Sequence, residues 1–447
     1  MPPHATIIGT MPLRLALTLV TLGPILAALG CSSAHPVPDL GGLYDEAAMS
    51  LSGDVDRDPV VVIPGILGSR LEGPGGEIVW GQFGDGGVDP RTPEGRALLS
   101  LPADGSDDGV VATQVLDRVR VSLLGLRFEQ AAYQDLLLTL GLGGYVDSGL
   151  NYGGVDYGDQ HFTCFQFPYD WRRELSESAV ELHDFLLEQR AYVRAERVRL
   201  HGEAAVDAAG PIKFDVVAHS MGGLVLRYYL MYGPTPLDRV PATPTWAGAE
   251  LVDQAILVGT PSLGAVDAML TLVDGKSFSP FLPQYPPEVM RTMPAIWQLL
   301  PQWMAATSAA DGPLDGPAAV AAAIRAEGDA AQAEQARRLA ATSTAFHAAL
   351  AAPGEPPAGL TISLFAADAE PTASHVRLEG NALSVTRRAP GDGTVTRFSA
   401  LGDPEPGPPL QTAADWDRVQ FLHTDHLGMT RDPGFTDNVL FLLLVAE

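Results

Sequence analysis

The stretch Val216-Val217-Ala218-His219-Ser220-Met221-Gly222-Gly223 decides how the rest of the chain is read. A β-rich run from Ile212 to Val217 leads into a small-x-Ser-x-small pattern, and a helical run from Leu224 to Tyr232 follows at once. A strand, a tight turn and a helix in that order make a nucleophile elbow, which lifts a serine hydroxyl clear of the backbone. The turn strains the serine, so the residues two before and two after it must be small; here they are Ala218 and Gly222. The helix behind Ser220 would aim its free N–H groups and positive dipole end at a developing oxyanion. Ala218 stands where the stricter pattern has glycine, so the pentapeptide alone also fits an ordinary turn with a surface serine. The apolar strand before it and the amphipathic helix after it favour a nucleophile.

Working outward, short apolar runs read as buried strands at Pro59 to Pro64, Phe162 to Phe167, Ile212 to Val217, Gln254 to Val258, Leu360 to Ala366 and Arg418 to Leu422. Helical patterns lie between and after them at Ser176 to Arg197, Leu224 to Tyr232 and Thr436 to Val445. Buried strands alternating with helices predict a mostly parallel sheet with helices on both faces over residues 59–447; with the elbow at Ser220, the α/β-hydrolase fold is expected. Two stretches break the alternation, at about 72–157 and 266–352, and both are too long for loops in a compact domain. They read as cap or lid insertions. The first is rich in Gly and Asp with one clear helix near Phe128 to Leu140, and its Asp104–Gly109 cluster lacks the ligand spacing of a calcium loop. The second is Pro-rich, then Ala-rich and helical. Its apolar residues around Trp297, Leu300 and Met304 fit either a lipid-contacting surface or the packing of the cap onto the core.

A serine nucleophile needs a base to take its proton and an acid to orient that base. In α/β-hydrolases the chain order is serine, acid, histidine. His426, in the loop between the strand Arg418 to Leu422 and the closing helix, is the preferred base, with His423 as the alternative. Asp392, in the turn Gly391-Asp392-Gly393-Thr394-Val395, is the preferred acid, and Asp368 at the end of the preceding strand competes with it. The oxyanion donors should be the N–H of Met221, directly after the serine, and an N–H from the turn Pro64-Gly65-Ile66-Leu67-Gly68-Ser69. In that turn Ile66 comes first and Leu67 next.

Composition narrows the function. The formal charge is −26 over 447 residues, which excludes a phosphate-backbone partner and hence nucleic acid. The N-terminus reads as a signal peptide over residues 1–31: Leu13 to Leu29 is apolar, interrupted by Pro24, and ends in Ala28-Leu29-Gly30-Cys31. A small residue before Cys31 fits a lipoprotein signal, with Cys31 as the lipidated residue. Residues 32–58 then read as a flexible tether, and the chain as exported: secreted, periplasmic or anchored. The other cysteine, Cys164, lies in an apolar strand and reads as a core thiol.

Five segments together resemble the lecithin:cholesterol acyltransferase family, which includes lysosomal phospholipase A2 and the phospholipid:diacylglycerol acyltransferases. They are Val62 to Glu72, Phe167-Pro168-Tyr169-Asp170-Trp171-Arg172-Arg173, Ala218 to Gly222, Gly391 to Val395 and His426-Leu427-Gly428-Met429. Gly259 to Gly264 resembles the family's turn after the next strand. The resemblance implies Ser220, Asp392 and His426 as a triad, with Ile66 and Met221 as the oxyanion hole. It implies an acyl hydrolase or O-acyltransferase acting on phospholipid or other lipid esters, with an alcohol or water as acceptor and no metal or organic cofactor. Trp80 resembles a tryptophan near the family's lid and, with Leu67, Trp297 and Leu300, is a candidate substrate contact. The lid disulfide of animal members has no counterpart here. Membrane contact would run through an apolar cap or the lipid anchor. Asp170 with Arg172 or Arg173 reads as a structural brace. A general esterase or triacylglycerol lipase, and a non-catalytic lipid-binding lipoprotein, are the competing readings.

Overall fold

A computed structural model describes residues 38–51, 55, 57–84, 87–116, 118–123, 126–131, 133–149, 161–277, 284–403 and 416–446. The signal peptide and Cys31 lie outside the described residues. Six strands form the central sheet: β1 (Val60–Ile63), β2 (Cys164–Gln166), β3 (Phe214–His219), β4 (Val252–Val258), β5 (Thr361–Ala367) and β6 (Arg418–Leu422). They lie in the order β6-β5-β4-β3-β1-β2, and every pairing is parallel. Each strand run expected from the sequence is present. A parallel sheet with both faces covered needs apolar residues at successive positions, and all four residues of β1 are buried.

The two faces bury different helices. Val61, Ile63, Val216 and Leu257 pack with residues of α1 (Leu175–His201) and α2 (Met221–Tyr232). Val60, Val62, Val217 and Ile256 pack with Leu136 and Leu140 of the helix Gln134–Leu142 and with Phe435 and Val439 of the helix Pro433–Leu444. The strands therefore alternate faces while burying both, as in the α/β-hydrolase fold. Cys164 is a free, fully buried thiol in β2.

Four expectations need correction. Residues 32–58 were to be a flexible tether, yet Leu40–Leu51 is a helix. Its Leu40, Tyr44 and Ala48 recur at four-residue spacing and are buried. Leu40 and Tyr44 pack against Leu440, and the Tyr44 hydroxyl donates to the Asp437 backbone carbonyl at 2.9 Å and to its Oδ1 at 2.7 Å. In the first insertion the helix starts only at Gln134. Leu126–Ala131 instead pairs antiparallel with Arg118–Leu123, two stretches whose apolar residues alternate at period two. Trp297 and Leu300, candidate substrate contacts, are 1% and 0% exposed. The Trp297 indole N–H donates to the Arg291 carbonyl at 3.1 Å, so these residues pack the second insertion rather than present a surface. Trp80 is buried as well, at 3% exposed.

A long hairpin that the sequence pattern does not announce, Glu370–Glu379 with Ala382–Gly391, is inserted between β5 and the acid turn. Along its first strand Val376 and Leu378 are buried while Arg377 and Glu379 are exposed, and the second strand is mostly exposed. The amphipathic pattern is there, diluted by Ser, Thr and Arg. Among the described residues, no helix is long and apolar enough to cross a membrane.

Candidate active site

Because the sheet is parallel, the C-terminal ends of β1, β3, β4, β5 and β6 open on one edge, and the site is assembled there. Ser220 directly follows β3 with φ 53° and ψ −125°, a conformation in which a residue with a side chain is strained. Its N–H donates to the Val258 carbonyl at 2.8 Å, so the neighbouring strand holds the strain in place. The turn works only with small neighbours. A Cβ on Gly65 would lie 2.7 Å from Ser220 Cβ, and one on Gly222 would collide with the Pro64 carbonyl oxygen.

His426 Nε2 lies 2.8 Å from Ser220 Oγ, and His426 Nδ1 lies 2.7 Å from Asp392 Oδ2. A carboxylate only accepts, so Nδ1 carries the proton and Nε2 is left to receive one from the serine hydroxyl. Asp392 Oδ1 accepts from the N–H groups of Thr394 at 2.9 Å and Val395 at 2.6 Å, and the His426 N–H donates to the Asp392 carbonyl at 2.9 Å. Burial opposes the charge on Asp392. The facing imidazole and the two amides outweigh that and hold its pKa below the ordinary value. Burial likewise pulls the His426 pKa down, but the Asp392 carboxylate outweighs it and leaves it raised. The alternatives stand apart. His423 is exposed, and Asp368 pairs with Arg397 at 3.3 Å on the surface.

The turn after β1 is closed by the Gly68 N–H donating to the Gly65 carbonyl at 3.0 Å. Leu67, its third residue, has φ 65°, where glycine or asparagine is usual. Among the described residues, the backbone N–H groups of Ile66, in the turn after β1, and of Met221, directly after Ser220, have no backbone partner. The Gly65 N–H is already engaged, donating to the Tyr133 hydroxyl at 2.7 Å.

Aromatic side chains from distant parts of the sequence pin this turn, a role the sequence did not disclose. The Trp80 indole N–H donates to the Leu67 carbonyl at 2.8 Å, and Trp80 packs edge-on against Trp171. Trp80 thus holds the strained Leu67 rather than lining a surface. The Tyr169 hydroxyl donates to the Pro64 carbonyl at 3.0 Å, and the Trp171 indole to the Ser69 carbonyl at 3.2 Å. Between these two aromatics, Asp170 receives Arg172 bidentately, with Nε at 2.9 Å and Nη2 at 2.7 Å. Arg172 also reaches Asp108 at 2.9 Å and the Leu98 carbonyl at 3.1 Å. The Phe167–Arg173 segment is therefore a two-sided brace, with aromatics on the β1 turn and charges on the 98–108 stretch. The Asp104–Gly109 cluster spends its carboxylates on backbone amides and arginines.

A family model described as lecithin:cholesterol acyltransferase matches residues 155–336. No curated protein matches the sequence. Among solved structures, a chain of the Tle4-Tli4 complex is similar at 14% identity with a TM-score of 0.48, covering 87% of this chain and 99% of that one. Lipase 1 from Pelosinus fermentans is similar at 12% identity with a TM-score of 0.32, covering 87% of this chain and 99% of its own.

Proposed function

We propose that the chain is a member of the lecithin:cholesterol acyltransferase family, whose model matches residues 155–336, and that it is a serine-dependent acyl hydrolase or O-acyltransferase of lipid esters, working through an acyl-enzyme on Ser220. The observation that carries this is the continuous hydrogen-bonded line from Ser220 Oγ through His426 to Asp392.

Ser220 Oγ attacks the ester carbonyl carbon, and its proton passes to His426 Nε2. The carbonyl π electrons move onto oxygen, and the N–H groups of Ile66 and Met221 donate hydrogen bonds to the resulting oxyanion. Losing one such donor costs about 3 kcal/mol of transition-state stabilisation. The oxyanion collapses, the bond to the leaving alkoxide breaks, and His426 protonates that alkoxide, a lysolipid or an alcohol. Water or an alcohol then attacks the acyl-serine by the same steps in reverse and frees Ser220. Asp392 holds the imidazolium throughout. Each step closes its own proton and electron balance on the chain's residues and the substrate.

A lipid ester rather than a water-soluble one is supported by the family match and by Leu427, 58% exposed directly beside His426. The apolar N-terminal segment and Cys31 support export and anchoring at a membrane. The deciding experiment is Ser220→Ala in the purified chain, with phospholipid and triacylglycerol vesicles and with short-chain p-nitrophenyl esters. Turnover should fall by about 10⁴-fold or more, and a fluorophosphonate probe that marks the parent protein should leave the variant unmarked. Retained turnover would sink the reading. Hydrolysis of the short esters without any of the lipids would replace the lipid substrate with a soluble one. Product analysis with and without added alcohol separates transferase from hydrolase.

A further inference from the structure

We propose that Tyr133 and His219 are positioning residues that lock the oxyanion turn to the loop carrying His426 through one hydrogen-bonded chain. The proposal rests on the acyl-enzyme reading above. The Gly65 N–H donates to the Tyr133 hydroxyl at 2.7 Å. The Tyr133 hydroxyl lies 2.9 Å from His219 Nδ1, and His219 Nε2 lies 3.1 Å from the backbone carbonyl of His426. A carbonyl only accepts, so Nε2 carries the proton and Nδ1 is the acceptor. The single hydroxyl hydrogen of Tyr133 must then point to Nδ1, while its oxygen accepts from Gly65. Every donor and acceptor is used once and the direction of the chain is fixed.

Its two ends touch the two halves of the site. Gly65 begins the turn that carries the Ile66 N–H, and the His426 carbonyl belongs to the residue whose ring meets Ser220. The middle of the chain is anchored twice over, because His219 is the residue before Ser220 and its ring lies 5.0 Å from that of His426. Tyr133 and His219 are 4% and 3% exposed. Burial, with the neighbouring His426 second, pushes the His219 pKa down to about 3, so this imidazole stays neutral wherever His426 can work as a base. Packing alone would be met by any aromatic pair. The hydroxyl and the ring nitrogens add direction, and direction is what an oxyanion donor and a general base require. Tyr133 reaches the site from the first insertion, which gives that insertion a part in arranging the chemistry.

The test uses the full chain with Tyr133→Phe, His219→Gln, His219→Leu and the Tyr133→Phe/His219→Gln double variant. The measurements are kcat and KM on a soluble p-nitrophenyl ester, the rate of fluorophosphonate labelling, the pH profile and the melting temperature. Tyr133→Phe should lower kcat and the labelling rate together by about 10- to 100-fold, with KM within about twofold and the acid limb of the pH profile unmoved. His219→Gln, which keeps an N–H able to reach the His426 carbonyl, should retain several-fold more kcat than His219→Leu. The double variant should lose far less than the product of the single losses, because both cut one chain. Wild-type kcat in Tyr133→Phe, strictly multiplicative losses, or a fall in kcat that only follows the melting temperature would each overturn the proposal. If Tyr133→Phe does not fold, the Gln-against-Leu contrast at position 219 decides. A parent protein that the probe fails to label contradicts the acyl-enzyme reading instead.

Discussion

The two ends of the central sheet carry titratable groups in opposite arrangements. At the C-terminal ends, Asp392 and His426 face each other at 2.7 Å and each raises the other's tendency to hold charge. At the N-terminal ends, Asp58 before β1, Asp215 in β3 and Asp253 in β4 crowd together, with Arg57, Arg197 and Lys213 as partial compensation. Burial, then Asp58 and Asp253, pushes the Asp215 pKa well up; burial, then Asp253, brings Asp58 to about 7. The larger carboxylate shifts therefore lie at the end without the serine. Pairing and direction, rather than perturbation alone, distinguish the site.

The strongest way to break that contrast is Asp392→Asn. It keeps the shape and removes the charge, so His426 loses what fixes its proton on Nδ1. We expect kcat to fall by about 10⁴-fold. The pH profile should move too. His426 must be neutral to act, and the carboxylate holds its pKa above the ordinary value. Activity in the parent protein is therefore lost as pH falls through that raised value, and in the variant the acid limb shifts to lower pH. An unshifted limb with normal kcat would mean that Asp392 is only a turn residue.

Gly65→Ala tests the steric half of the same end. Gly65 has no positive φ, so alanine suits its backbone, but the added Cβ would lie 2.7 Å from Ser220 Cβ and 3.3 Å from His219 Nδ1. Something must shift, and misplacements near 1 Å cost on the order of 10²-fold. We expect kcat to drop by about 10- to 100-fold with a lower melting temperature. Full activity in this variant would show that the turn and the elbow are not held in register.

These two experiments touch the part of the site most legible in the sequence. Backbone strain leaves a mark there: Ala218, Gly222 and Gly65 are small because Ser220 and the β1 turn leave no room. Chain order did the rest, since a turn aspartate and a loop histidine look like any others until they follow the serine in sequence. The charged brace of Asp170 with Arg172 was legible as well, but the aromatic braces left no comparable mark. Tyr133, Tyr169 and Trp171 act through one polar atom each, and in sequence a buried aromatic that fills space reads the same as one that pins a carbonyl. Trp80, Trp297 and Leu300 show the same ambiguity from the other side: apolar residues in an insertion fit a lipid surface and a core equally well. The hairpin Glu370–Glu379/Ala382–Gly391 leaves little trace in the sequence because its outer strand is polar and gives almost no period-two signal.

The smallest effect on turnover belongs to the N-terminal end. Asp58 titrates near 3.9 in an unfolded chain and at about 7 here, so the folded state holds its proton more tightly. A carboxyl with a raised folded pKa supports stability below its unfolded pKa, and that support is lost as pH rises through the folded one. Other carboxylates, Asp392 among them, act in the opposite sense, so the parent's melting curve alone does not isolate it. The difference between Asp58→Asn and the parent does. The variant should melt at nearly the same temperature at pH 4, gain on the parent steadily to about pH 7 and hold a constant margin above that, with turnover unchanged throughout. Calorimetry between pH 4 and 8 reads this directly. A margin independent of pH would mean that Asp58 does not feel Asp253 and the surrounding core, and the contrast between the two ends would then rest on Asp215 alone.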